Sequence, residues 1–410
     1  MKILVVTQYY YPEMGAPAAR YYDFAKYWTR WGNSVTILTA FPNFPDGKIE
    51  KKYRWKFRAM ENIDGASVIR SYIWSRPHPG FWIKASGYFT FAISGCLNLI
   101  FQREKHDVVI ATLPPPGAGI PALMLNIFSK IPLVIDIRDF WPEGLVNSGR
   151  IRNNLLIKML GNFEKLLYHK AKLITVVTEG KKKYLQTIYP ASKIEIVANG
   201  VDIEAVDAAN SDDSEIKGLM AQYVNCFVYA GVMNPPQGLT VIVEAVSFLN
   251  HSISEPGKFG VIMIGDGSER ERIKEEIHRK SISNIHLIGI KNKETVFNCL
   301  KNSLGIIIPL KKRKDNHTVP SKIFESMAVG RPVLLSSDGE AADIIKMAGA
   351  GLISPPEDAA RLADNMISYI ENHTMADIHG ASGYRFARDY YGREEIAGYF
   401  LKLLEGIKNG

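Results

Sequence analysis

"GVIMIGDGSERERIKEEI", residues 260–277, decides the fold. An apolar run ends in a Gly-Asp-Gly turn that leads into a charged segment, the order of strand, turn and helix. Such a turn admits close ligand approach and aims backbone N–H groups at anions. Arg270 stands where a dinucleotide fingerprint has its third glycine, and no G-x-x-x-x-G-K-[ST] phosphate loop occurs, which argues against a dinucleotide enzyme and an ATPase.

The unit recurs in both directions. After it come "NIHLIG" (284–289), "LGIIIPL" (304–310) and "PVLLSS" (332–337), and before it "NCFVYAG" (225–231). The first half carries "KILVVT" (2–7), "SVTILTA" (34–40), "DVVIAT" (107–112), "PLVIDI" (132–137) and "LITVVT" (173–178). Short β-branched runs of this kind are buried in parallel sheets, and helically spaced stretches lie between them, such as 18–31, which stops at Gly32. The fold class is therefore α/β, with two doubly wound Rossmann-like domains. The expected boundaries are 1–202 for the first domain, 203–217 for an acidic linker ("EAVDAANSDDSEIKG" and its flanks), 218–380 for the second, and 381–410 for C-terminal helices returning towards the first. Ligands of such sheets bind outside the carboxyl ends of the strands. There the loops are rich in Gly and Pro: "YYPEMGAPAAR", "TLPPPGAG", "AGVMNPPQG" and "IGDGSER". Loops from both halves are expected to face one interdomain cleft.

Composition narrows the function. The chain has 410 residues, 46% hydrophobic and 22% charged, enough for two cores. Its three cysteines, Cys96, Cys226 and Cys299, form no disulfide framework or zinc motif, which suits a reducing compartment. The N-terminal apolar run is too short for a signal-peptide core, so a cytoplasmic protein is expected. Residues 1–200 hold 27 Lys and Arg against 14 Asp and Glu, while the remainder hold 23 against 28. The basic half predicts an anionic partner, a nucleic acid, a phosphorylated lipid or a membrane surface. "FWIKASGYFTFAISGCLNLIF" (81–101) has one charge in 21 residues and follows the basic, aromatic "KIEKKYRWKFR" (48–58). Ser86, Gly87, Gly95 and Asn98 dilute its apolarity. It reads as an interfacial helix at an anionic membrane or as a buried domain helix.

"YYYPEMGAPAAR", "GNSVTILTAFPNFP", "DVVIATLPPP", "DIRDFWPEGL", "NGVD", "YAGVMNPPQGL", "IGDGSER", "PSKIFESMAVGRPVLLS" and "GAGLISPPED" follow one another in the order seen in glycosyltransferase family 4. The chain resembles these retaining transferases of GT-B fold over nearly its whole length. "AFPNFP", "RDFWPE" and "PSKIFE" are most similar to the bacterial surface-polysaccharide branch that includes N-acetyl-L-fucosamine transferases.

The resemblance implies roles. Glu325 matches the second acid of the family's Glu-x7-Glu hallmark and would accept the ribose hydroxyls, since a carboxylate can take both vicinal hydroxyls. His317 stands eight residues earlier; either it replaces the first acid or Asp315 does. The loop after the first strand of the second domain lacks the family's Arg and Lys, with Gln237 at the Lys position. Lys322, beside Ser321, is the candidate cation for the departing diphosphate. Gly231, Gly265, Gly267, Gly289 and Ile290 complete the expected donor side, with Gly15 on the first loop approaching the diphosphate or sugar. Arg138 occupies the position of a family His that touches the donor sugar, Asp139 could orient the acceptor, and Arg20 and Glu143 fall on the acceptor side. No cofactor and no metal are expected.

These readings imply a metal-independent retaining transferase. It would move an N-acetylated hexosamine or deoxyhexosamine from a nucleoside diphosphate, UDP by preference, to a polyprenyl-diphosphate-linked saccharide in O-antigen or capsule synthesis, without nucleic acid. Two rivals stay open: a hydrolysing UDP-N-acetylglucosamine 2-epimerase, which would release free N-acetylmannosamine without acceptor, and a degenerate transferase serving as membrane scaffold, which would bind without turnover.

Overall fold

The computed structural model describes residues 1–13, 15–44, 47–77, 80–101, 104–141, 153–253, 258–312 and 319–408. Two compact units result, Met1–Asn199 with Arg393–Gly410, and Gly200–Gly392.

The first unit holds eight strands: β1 (Lys2–Val6), β2 (Ser34–Ala40), β3 (Arg58–Ile63), β4 (Ala66–Ser71), β5 (Val108–Leu113), β6 (Leu133–Ile137), β7 (Leu173–Val176) and β8 (Ile194–Ile196). Their order is β3-β4-β2-β1-β5-β6-β7-β8, parallel except for the β3–β4 pair. Alternate residues of β1 feed opposite cores: Leu4 and Val6 face one, Ile3 and Val5 the other. Helix α1 (Ala16–Arg30) and the C-terminal helix Arg393–Lys408 cover the Ile3 side through Phe24, Trp28 and Phe400. The Trp28 indole N–H donates to Ala397 O at 2.9 Å, and buried Arg393 pairs with Asp23. Helices α2 (Phe81–Ile100), α3 (Gly119–Ser129) and α4 (Asn154–Lys170) contribute to the other core. The β3–β4 hairpin has no counterpart in the sequence reading. "RAMENI" is half-exposed at the sheet edge, and its charges hide the strand period.

The second unit is wholly parallel, in the order β11-β10-β9-β12-β13-β14: β9 (Asn225–Ala230), β10 (Phe259–Ile264), β11 (Ile285–Ile288), β12 (Gly305–Pro309), β13 (Val333–Ser336) and β14 (Gly351–Ser354). Phe227 of β9 is fully buried, a burial that stabilises by about 2–3 kcal/mol. Residues 203–217, read from composition as a linker, fold into this unit. Asp202 caps the helix Ile203–Ala208 through Ala205 N–H, and Asp213 caps the helix Ser214–Met220 through Ile216 N–H. Val206 and Ile216 enter the core, so two capped apolar anchors outweigh an acidic composition.

In each sheet one early strand has neighbours reached in opposite directions, β1 between β2 and β5, and β9 between β10 and β12. The carboxyl ends of these strands are where such sheets bind ligands.

Candidate functional site

The second unit builds its site from glycine first. The loop after β10 lies directly on the loop after β9. A Cβ on Gly265 would collide with the carbonyl oxygen of Gly231, and one on Gly267 with that of Met233. Both glycines have positive φ, 142° and 155°. Gly231 N–H donates to Ile264 O at 2.9 Å, Met233 N–H to Asp266 O at 2.8 Å and Glu269 N–H to Met233 O at 2.8 Å, which ties the two loops together. The Gly-Asp-Gly turn thus serves backbone packing between loops.

One ammonium sits against this pair of loops. Lys322 Nζ donates to Gln237 Oε1 at 2.5 Å and to the Tyr229 hydroxyl at 3.4 Å, and stands 4.6 Å from the Tyr229 ring centroid. A Cβ on Gly231 would come within 3.1 Å of Nζ. Burial pushes the Lys322 pKa down to about 8, with Glu325 opposing the shift. An amine with two neutral partners and a carboxylate only within electrostatic reach is held charged weakly, and gains from an added anion. Glu325, half-buried, pairs through Oε1 with Lys293 Nζ at 3.3 Å. Ser321 precedes the helix Lys322–Ala328 and makes no side-chain cap bond. Gly289 and Ile290 are exposed at the end of β11. Thus the structure groups Gly231, Gln237 and Lys322 tightly with Glu325 nearby.

In the first unit, Asp136 is fully buried near the end of β6. It accepts from Arg20 Nη2 at 3.3 Å, Tyr21 OH at 2.9 Å and Thr175 Oγ1 at 2.7 Å. Arg20 also donates to the carbonyls of Val197 and Ala198, so both terminal nitrogens of its fully buried guanidinium are used inside the unit, while Nε is without a partner among the described residues. Lys181 binds Asp139 Oδ1 at 3.1 Å and the Arg138 carbonyl, leaving Asp139 largely exposed. Arg138 is half-buried; burial and the neighbouring Arg20 charge lower its pKa, with Asp139, Asp136 and Tyr21 opposing. Gly15 is exposed at the start of α1 with φ 135°. Asp315, His317 and Glu143 lie outside the described residues.

Tyr229, Lys293, Asp136, Thr175 and Lys181 escaped sequence reasoning. Each lies in a segment that reads only as strand or helix, and its importance comes from a partner at least 30 residues away.

Helix α2, which spans 81–100 of the apolar stretch, has one buried and one exposed side. Phe91, Ser94, Asn98 and Leu99 are buried, whereas Trp82, Phe89, Ile93 and Leu97 form an exposed stripe. α3 packs against both α2 and α4, adding exposed Phe128, and α4 adds Leu155 and Met159. Among the described residues no helix is long and apolar enough to cross a membrane. Of the aromatics in 48–58, Tyr53 is buried, stacked 5.0 Å from Phe41, so only Trp55 and Phe57 are exposed.

Residues 18–205 match the family model "Glycosyltransferase Family 4", and residues 213–386 match "Glycosyl transferases group 1". The putative colanic acid biosynthesis glycosyl transferase WcaI of Escherichia coli (strain K12) is 20% identical over 99% of this chain and 100% of its own. Among solved structures, sucrose-phosphate synthase of Thermosynechococcus elongatus superposes with TM-score 0.77 at 14% identity, covering 99% of this chain and 98% of that one. HepE of Anabaena, solved in complex with UDP, gives 0.71 at 16% identity over 99% and 100%. These likenesses confirm the fold class.

Proposed function

This chain belongs to glycosyltransferase family 4, and from that premise we propose that it is a retaining, metal-independent transferase of surface-polysaccharide synthesis. The donor is a UDP-linked N-acetylated hexosamine or deoxyhexosamine, and the acceptor a polyprenyl-diphosphate-linked saccharide. The observation that carries this reading is the Lys322 ammonium, enclosed by Gly231, Gln237 and Tyr229 at the carboxyl end of β9. Relatives support the substrate class by their names: one is named a putative colanic acid biosynthesis glycosyl transferase, and a structural neighbour was solved with UDP.

In this reading the diphosphate lies over the crossed loops. Breaking the sugar–phosphate bond gathers negative charge on the leaving oxygen, and Lys322 answers it as its own proton is held more firmly. Glu325 exchanges Lys293 for the ribose hydroxyls. With the leaving phosphate as base, Arg138 and Asp139 have only to position substrate in the first unit. His317 or Asp315 contacts the donor sugar.

The apolar stripes on α2–α4 support peripheral attachment to the inner membrane face. These helices carry Lys84, Lys158, Lys165 and Lys170, and their one acid, Glu164, accepts from Tyr168 OH at 2.7 Å. Incubated with UDP-sugars and lipid-linked acceptor, the protein should give a product of unchanged anomeric configuration by NMR, insensitive to chelator. It should also sediment with anionic vesicles more than with neutral ones, less so in high salt. Inverted product would exclude the retaining mechanism, and no sedimentation with either vesicle would exclude the attachment surface.

A further inference from the structure

Among the described residues, the charges at the β6 end of the first unit do not balance. Three cations, Arg20, Arg138 and Lys181, meet two acids, Asp136 and Asp139. Asp136 is committed to Arg20, Tyr21 and Thr175, and Asp139 to Lys181. Among the described residues the Arg138 guanidinium makes no hydrogen bond, and its Nε is buried without a partner. The Thr112 hydroxyl is likewise buried and unpartnered. Thr112 stands opposite Asp136 across β5 and β6, and Arg138, whose N–H continues the ladder to Leu113 O, follows Asp136 by two residues. With the two-residue side-chain period, Thr112, Asp136 and Arg138 project from one face of the sheet.

We infer that Arg138 and Thr112 form an oxyanion subsite in the first unit, binding a carboxylate or phosphoryl group carried by a substrate; this deepens the transferase reading and rests on it. A guanidinium confined without an acid is costly in the free protein, and an incoming oxyanion supplies the missing charge. Its planar fork, with a hydroxyl on the same face of the sheet, matches two oxygens of one anionic group better than a point charge would. A neutral sugar hydroxyl would leave the excess cation unanswered. Two substrates carry such a group: an acidic sugar, through its carboxylate, and a lipid-linked acceptor, through its diphosphate.

Calorimetric titration separates them. With UDP present at saturation to occupy the second unit, pyrophosphate and glucuronate are titrated separately into the parent, Arg138→Gln, Arg138→Lys and Thr112→Val proteins. The parent should bind at least one probe. Arg138→Gln should bind it roughly tenfold or more weakly, Arg138→Lys should fall between, and shape-conserving Thr112→Val should lose about fivefold, as expected for one charged and one neutral hydrogen bond. Selective loss of pyrophosphate identifies a phosphoryl source, and of glucuronate a carboxylate source. A parent that binds UDP but neither probe, or folded Arg138→Gln and Thr112→Val proteins that bind both as tightly as the parent, overturns the subsite. A parent that fails to bind UDP contradicts the transferase reading instead. Should Arg138→Gln not fold, Arg138→Lys and Thr112→Val carry the test.

Discussion

The two sheets build the carboxyl ends of their strands by opposite means. In the first unit the carboxyl end of β6 is stiffened by charge: Asp136 is fixed by one guanidinium and two hydroxyls, and Asp139 by Lys181. In the second, the carboxyl ends of β9 and β10 are joined by uncharged groups, glycine against carbonyl and Ser268 donating to Asn234 Oδ1, and the Lys322 ammonium beside them has neutral hydrogen-bond partners. The contrast teaches where reorganisation is cheap. A buried ion pair resists exchange because either half left alone is strongly destabilised, whereas Lys322 can leave Gln237 for a better acceptor at the cost of one hydrogen bond.

Breaking the rigid side should show the largest effect. Asp136→Ala leaves Arg20 without its carboxylate in a fully buried place, so urea unfolding should show a loss of about 3–5 kcal/mol. If the variant lost under 1 kcal/mol, the edge would not depend on charge and the contrast would fail.

Softer contacts should cost less. Glu325→Gln keeps the shape but removes the charge and one acceptor oxygen, and should weaken UDP binding by roughly 1.5–3 kcal/mol in calorimetry. Unchanged affinity in a folded protein would remove the ribose assignment and leave Glu325 as the partner of Lys293 only.

The same contrast explains what could be read from the sequence. Both parallel sheets were legible, because strands buried on two faces are written as continuous β-branched runs: "SVTILTA" coincides with β2, and "LITVVT" contains β7. Glycine turns were legible too, since Gly265 and Gly267 announce backbone that no side chain permits. The edge strand β3 was not, nor were its hairpin partner β4 and the helices capped by Asp202 and Asp213. There, exposure or local polarity masks the apolar period. Among site residues, Glu325 was reached through the Glu-x7-Glu hallmark of the resemblance, and Lys322 as a candidate for the cations that the loop after β9 lacks. Asp136 and Thr112 were not reached, because a single polar residue in a strand takes its meaning from the register with its neighbours, which only the folded sheet supplies.

The most direct test of the account follows Lys322 across pH. Its pKa of about 8 in the free protein must rise when a diphosphate arrives, so above pH 8 binding has to take up a proton that the parent no longer holds. Calorimetric titration of UDP should give an affinity nearly constant from pH 6.5 to 7.5 and several-fold weaker by pH 9, with proton uptake visible as a dependence on the buffer's ionisation heat. Lys322→Ala should bind more weakly at pH 7 and lose this pH dependence. If parent and variant gave parallel affinity profiles from pH 6.5 to 9, the ammonium would not meet the diphosphate, and the proposed role of Lys322 in catalysis would be contradicted.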